Sequence, residues 1–220
     1  MISHKYKCIF IHIPRCAGTS VEGWLHGADW WQHDPKTKHL LASQAREIYA
    51  EYWDDYFKFT IVRNPFTRVL SCLKYDWYFG IRARDRRLDF LEYHRHFGVR
   101  SIVEFDYRFY TREEVTRPGQ QPAKIYGNIL DEPLDYVARF ETLQDDMREI
   151  RKRLGVASKF SEHYERSPAV PKLADIDQAT RQYIARLYAR DFEAYGYDPR
   201  PADEAELATV QTAPEHIVQP

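Results

Sequence analysis

The apolar and polar positions of this chain alternate between two periods. Cys8-Ile9-Phe10-Ile11-His12-Ile13 and Phe57-Lys58-Phe59-Thr60-Ile61-Val62 are short, mostly apolar, β-branched runs, and each reads as a buried strand. Between them the period is helical. From Thr19 onward Val21, Trp24 and Leu25 fall at helical spacing, with Glu22 in the first turn, where the helix dipole favours an acid. Ala42, Ala45, Ile48, Tyr49 and Tyr52 repeat that spacing and predict one helix over 42–52. The second strand ends at Arg63, and Asn64-Pro65 supplies a favoured N-cap followed by proline at the first helical position, predicting a helix over 65–78. Strand, loop, helix, helix, strand, loop, helix is the order of an α/β domain with a central parallel sheet flanked by helices. Ligands of such sheets sit at the carboxyl ends of strands, and both loops lie there.

The pattern weakens over 81–121, where charged and aromatic residues show no clean period and only irregular structure or short helices are expected. A further strand is expected over 135–140. Thr142 then reads as an N-cap, with Asp145 in a capping-box position, ahead of the stripe Leu143, Met147, Ile150, Leu154 that stops at Gly155. A last helix is expected over 176–195, with Tyr183, Leu187, Tyr188 and Phe192 on one face and Gly196 beyond its end. This places one domain at 1–200 and a poorly ordered, Ala/Pro-containing tail at 201–220.

Composition narrows the partners. A chain of 220 residues buries roughly 70–75% of its unfolded surface without help from disulfides or metal. Lys+Arg of 32 against Asp+Glu of 33 leaves a net charge of -1, so no global field favours nucleic acid or an anionic membrane, and any basic site is local. The three cysteines, Cys8, Cys16 and Cys72, lack disulfide or zinc-site spacing, which predicts reduced thiols and no metal. No stretch approaches the ~20 apolar residues of a membrane helix, and the start of the chain lacks a secretory pattern, so a soluble, cytoplasmic protein is expected. The 16 Tyr and 12 Phe could line a sugar or aromatic acceptor site, although most such rings pack in cores.

Candidate chemistry sits in the two loops. Pro14-Arg15-Cys16-Ala17-Gly18-Thr19-Ser20 joins a strand to a helix through small residues, the form that aims backbone N–H groups and a helix dipole at a phosphate-type anion. An ordinary βα turn would read the same way, and the G-x-x-x-x-G-K-[ST] spacing of nucleoside-triphosphate loops is missing. In the second loop Arg63 at a strand end and Ser71 two turns into a helix could meet one phosphate with a guanidinium and a hydroxyl. The plainer alternative pairs Arg63 and Arg68 with surface carboxylates and leaves Ser71 as packing.

Together these residues resemble a known family. The string from Phe10 to Ser20 resembles the 5′-phosphosulfate-binding loop FIHIPKTAGTS of sulfotransferases related to heparan sulfate 2-O-sulfotransferase, and Phe59-Thr60-Ile61-Val62-Arg63-Asn64-Pro65-Phe66-Thr67-Arg68-Val69-Leu70-Ser71 is similar to that family's 3′-phosphate segment. Arg139-Phe140-Glu141-Thr142-Leu143 and Asp191-Phe192-Glu193-Ala194-Tyr195-Gly196-Tyr197 resemble its later landmarks, so the likeness covers about 7–199. The resemblance implies a P-loop-like sulfotransferase fold and 3′-phosphoadenosine 5′-phosphosulfate as sulfuryl donor. By position, Arg15, Cys16, Ala17, Gly18, Thr19 and Ser20 would hold the 5′-phosphosulfate, and Arg63 with Ser71 the 3′-phosphate. Arg15 and Cys16 stand where the family usually has lysine and threonine. Arginine offers charge and donors for the leaving phosphate but does not give up a proton.

In-line attack of a hydroxyl on sulfur also needs a base. His39, in a K-H-x-x-A setting like that of related enzymes, is the candidate, with His33 and Glu22 in reserve. His12 is expected to be a buried, hydrogen-bonded core residue. The acceptor would be a hydroxyl of a carbohydrate, glycoconjugate or small molecule. The basic run Arg82, Arg84, Arg86 and Arg87 could meet an anionic sugar, but Asp85 and Asp89 interleave it as on a solvated face. His163, Arg166 and Ser167 resemble a loop that closes over the nucleotide. The rival readings are an ATP-using, kinase-like protein and a non-catalytic nucleotide-binding relative.

Overall fold

A computed structural model of the chain describes residues 1–76, 130–161 and 178–200. Its core is a four-stranded sheet in the order β1 (Ile2–Ser3), β2 (Cys8–Ile11), β3 (Phe57–Val62), β4 (Tyr136–Arg139). The expected parallel arrangement holds for β2 against β3 and for β3 against β4, with Phe10 opposite Phe59 and Val62 opposite Arg139. β1 was not expected. It is a two-residue antiparallel edge on β2, too short for alternation to register.

All four residues of β2 are buried, as are Phe59, Ile61 and Val62 of β3, the continuous apolar signature of strands covered on both faces. Because β2, β3 and β4 run the same way, the segments after Ile11, Val62 and Arg139 emerge along one edge. They are also tied there: Thr60 Oγ1 donates to the Ile11 carbonyl at 2.7 Å, Phe140 N–H to the Val62 carbonyl at 2.8 Å, and Asn64 N–H to Glu141 Oε1 at 2.7 Å.

The helices of the first half are α1 (Gly18–His26), α2 (Ala42–Ile48), α3 (Ala50–Trp53) and α4 (Pro65–Asp76). Those of the second are α5 (Leu143–Leu154), α6 (Gln178–Leu187) and α7 (Ala189–Ala194). α4 starts as Asn64-Pro65 demanded: the Asn64 side-chain oxygen accepts Phe66 N–H at 2.9 Å. The single helix expected over 42–52 is two, broken at Tyr49 (φ −108°, ψ 27°), and the one expected to end at 195 breaks at Tyr188 (φ −106°, ψ 22°). Apolar spacing continues through both breaks, so periodicity does not mark them.

Three further expectations are corrected. β2 ends at Ile11, which puts His12 and Ile13 beyond the strand. Glu22 does not stand in the first turn, because α1 begins at Gly18, and it is wholly buried. Thr142 occupies the N-cap of α5 without a side-chain cap; its hydroxyl donates to Asp146 at 2.7 Å, while Asp145 pairs with Arg148. Asp146 also takes Arg139 N–H and the Tyr136 hydroxyl, and so fastens α5 to β4. Gly155 closes the helix at φ 63°, where glycine is favoured.

The segment over 81–121, with its arginine run, the loop bearing His163, Arg166 and Ser167, and the tail over 201–220 lie outside the described residues, as does the side chain of Cys72. Among the described residues no helix is long and apolar enough to cross a membrane, and Cys8 and Cys16 are buried thiols outside any disulfide.

Candidate functional site

The site lies at the edge where β2 and β3 end. After Ile13 and Pro14 the chain passes through two non-glycine residues in the left-handed region, Arg15 (φ 64°) and Ala17 (φ 59°), before α1 starts. Such conformations cost about 1–3 kcal/mol each and gather at ligand clamps. The N–H groups of Gly18 and Thr19 fall in the first turn of α1, beyond reach of any intrahelical acceptor, and the positive end of the helix dipole points the same way.

Gly18 has a reason of its own. A Cβ there would stand 2.1 Å from His12 Nε2 and Cδ2, so only glycine lets the His12 ring lie against the turn. That ring is buried, and its Nδ1 meets Glu22 Oε1 at 2.5 Å. Burial pushes His12 below its ordinary range and outweighs the pull of Glu22. A neutral His12 therefore donates from Nδ1 to the carboxylate, and its Nε2 is covered by Gly18, which leaves no room for a reacting group. The expectation of a buried, hydrogen-bonded His12 agrees with this geometry.

The two loops meet through Arg15. Its Nε donates to Ser71 Oγ at 3.0 Å, and its carbonyl accepts from Arg63 Nη1 at 3.1 Å. Arg63 is braced by Thr67 Oγ1 at 3.0 Å and by the Phe140 ring, 4.0 Å from its guanidinium carbon. Phe140 follows β4, so all three parallel strand ends hold this cluster. Arg15, Arg63 and Ser71, 56 residues apart in sequence at most, thus share one place with two guanidiniums and a hydroxyl. Ser71 is not packing alone, and Arg68 is fully buried with its guanidinium 5.1 Å from the Tyr188 ring rather than on the surface. Cys16 is buried with its thiol toward the Pro14 carbonyl, and Ser20 is buried; Ala17 and Thr19 are half-buried.

On the other side of the turn stands His39, half-buried, its ring 4.5 Å from that of His12 and 5.8 Å from that of Trp31. His39 Nδ1 lies 3.2 Å from the His12 carbonyl. A carbonyl only accepts, so Nδ1 carries the proton and Nε2 is the basic nitrogen of the neutral ring. Of the reserves, His33 is exposed against His26 and Trp30, and Glu22 is a buried ion-pair member. Burial alone would push the Glu22 carboxyl up, but His12, Lys38 and the Trp30 N–H more than offset it and hold it at about 2.

Two neighbours were missed in the sequence. Lys38 was not singled out, yet it is buried and ion-paired to Glu22 at 2.8 Å and to Asp29. Trp31 is 53% exposed with its backbone N–H held by Asp29 at 2.8 Å. Neither carries a local signal, since lysine burial depends on acids supplied from other segments. The later landmarks have structural parts: Arg139 Nη2 donates to the Tyr195 carbonyl at 2.6 Å, and the Tyr197 hydroxyl to Glu141 at 2.9 Å, which closes α7 onto the strand end beside Asn64.

A family model described as Sulfotransferase family matches residues 1–75 and 131–198. No curated protein and no solved structure matches the chain significantly.

Proposed function

The chain belongs to the sulfotransferase family, and on that premise we propose that it moves a sulfuryl group from 3′-phosphoadenosine 5′-phosphosulfate to a hydroxyl of a carbohydrate or glycoconjugate. The observation that carries this reading is the junction of the two loops at Arg15, which gathers two guanidiniums, Ser71 Oγ and the N-terminus of α1. That donor set fits a ligand with two separate anionic groups. The turn over 14–20 would take the 5′ end through backbone N–H groups and Arg15, and Arg63 with Ser71 the 3′-phosphate.

When bound, the nucleotide supplies an activated sulfuryl group and a leaving phosphate. Arg15 offers that phosphate a permanent positive charge and no proton. His39 Nε2 takes the proton of the acceptor hydroxyl while Nδ1 stays on the His12 carbonyl. Trp31, exposed next to His39, offers the acceptor an indole face. Cytoplasmic action on a soluble acceptor remains part of the reading; no metal is assigned a role.

Titration of the chain with 3′-phosphoadenosine 5′-phosphate, beside ATP with magnesium, tests the nucleotide. At 100 times the dissociation constant, binding adds about 2.7 kcal/mol, a melting shift of several degrees for a chain of this size. Arg63→Ala should remove most of the preference for the 3′-phosphorylated ligand. Equal shifts from ATP, or from the nucleotide without its 3′-phosphate, would replace this reading with a kinase-like one. Binding without turnover on any acceptor would leave a non-catalytic relative.

A further inference from the structure

Behind the turn lies a set of buried charges that no step of this reaction uses. Glu22 divides its carboxylate: Oε1 meets His12 Nδ1 at 2.5 Å, and Oε2 takes Lys38 Nζ at 2.8 Å and Trp30 N–H at 3.0 Å. Lys38 also pairs with Asp29, whose Oδ1 accepts Trp31 N–H. Both Glu22 and Lys38 are almost inaccessible to water. Buried ion pairs are often no better for stability than apolar residues of the same volume, so stability alone does not account for this one. Its geometry suggests what it holds. Glu22 is on α1, His12 follows β2, and Lys38 precedes His39, so one carboxylate ties the turn, the strand end and the segment carrying His39. His12 is gripped twice, its ring by Glu22 and its carbonyl by His39 Nδ1 at 3.2 Å.

We propose that Glu22 and Lys38 are positioning residues for His39: their ion pair sets the His12 carbonyl against the His39 ring and thereby keeps His39 in its Nδ1–H tautomer, with Nε2 unprotonated. The rotation of the His39 ring and the identity of its basic nitrogen are then fixed before any acceptor arrives. The kinetic consequence rests on His39 being the base proposed above, whereas the tautomer itself does not.

The test uses the full chain, uniformly labelled with ¹⁵N, and long-range ¹H–¹⁵N spectra of the histidine rings, with His39 assigned by its loss in His39→Gln. In the unaltered chain His39 is expected as a single neutral Nδ1–H tautomer. Lys38→Met leaves Glu22 to His12 and Trp30 and frees the His39 segment; the His39 signals should move to a mixture containing the Nε2–H form. Turnover should fall by about 10²-fold, the size of effect that a small misplacement of a reacting group produces, while affinity for 3′-phosphoadenosine 5′-phosphate stays within about twofold. Should Lys38→Met not fold, the doubly neutral Glu22→Gln/Lys38→Met, which leaves only the part-exposed Asp29 without its ammonium, serves for the same spectrum. A mixed tautomer in the unaltered chain, or a single Nδ1–H tautomer kept in either folded variant, overturns the proposal. Loss of the tautomer with transfer unaffected upholds the positioning and instead removes His39 as the base.

Discussion

The turn over 14–20 has two sides of opposite character. On one, Arg15 and Arg63 meet hydroxyl and carbonyl oxygens, those of Ser71, Thr67 and Arg15 itself. On the other, Glu22 and Asp29 surround Lys38 and His12, two carboxylates held within the fold by one ammonium and a histidine ring. The guanidinium side brings positive charge to a strand edge, which is how a protein prepares to receive an anion. The carboxylate side has consumed its charges in holding segments together. Buried charge therefore means different things on the two sides: in the proposed reading one binds and the other places. His39 stands on the second side, its Nδ1 held on the His12 carbonyl.

The contrast is broken most severely at the reacting groups. His39→Ala should lower turnover by about 10²–10⁴ with nucleotide affinity almost unchanged, as measured by steady-state kinetics beside calorimetry. Arg15→Ala should lower it by about 10²–10³, because a charge-assisted contact strongest in the transition state is lost. Arg15→Lys should preserve much of the activity if charge is what counts. Nucleotide affinity separates the sides: it should weaken for Arg15→Ala and hold for His39→Ala.

A smaller effect tests the wall between the sides. Gly18→Ala inserts a methyl where the His12 ring already lies. Overpacking of this kind costs about 1–3 kcal/mol, and a thermal melt should fall by several degrees. If Gly18 served only to admit a ligand to the backbone, the melt would barely move and nucleotide affinity alone would drop.

The guanidinium side was legible in the sequence and the carboxylate side was not. Strand ends, the Asn64-Pro65 start of α4 and the small-residue turn are local signals, so the parallel order of β2 and β3 and the placing of Arg15 and Arg63 at one edge followed from spacing. That Ser71 would meet Arg15 itself did not follow, because it depends on how α4 leans over the turn. Glu22 gave a misleading signal and Lys38 none. An acid early in a helix reads as a dipole partner, and both residues become buried only because His12, Asp29 and the Trp30 backbone converge from other segments. The breaks at Tyr49 and Tyr188 were hidden for the same reason, since apolar spacing runs through them unchanged.

The mildest way to sharpen the comparison is acid. Glu22 has an ordinary value of 4.5 and is held at about 2 in the fold, so between those values the unfolded chain binds a proton that the folded chain does not. Stability present above 4.5 is then lost as pH falls toward 2. His12 acts in the same direction earlier. Its folded value is lowered from 6.5, so below 6.5 the unfolded ring charges while the folded ring stays neutral. Each such proton is worth about 1.4 kcal/mol per pH unit. Urea melts from pH 8 to 3 should accordingly weaken first through the buried Met1 amine, which burial lowers from 8.0 to about 5, gain a His12 share below 6.5 and steepen below 4.5. His12→Asn should remove the share that sets in below 6.5 and Glu22→Gln the one below 4.5, whereas Arg63→Ala should leave the shape of the curve alone, since guanidinium stays charged throughout. If His12→Asn leaves the decline between 6.5 and 4.5 unchanged, His12 is charged against Glu22 in the fold, and the carboxylate side carries one more positive charge than the neutral ring allows.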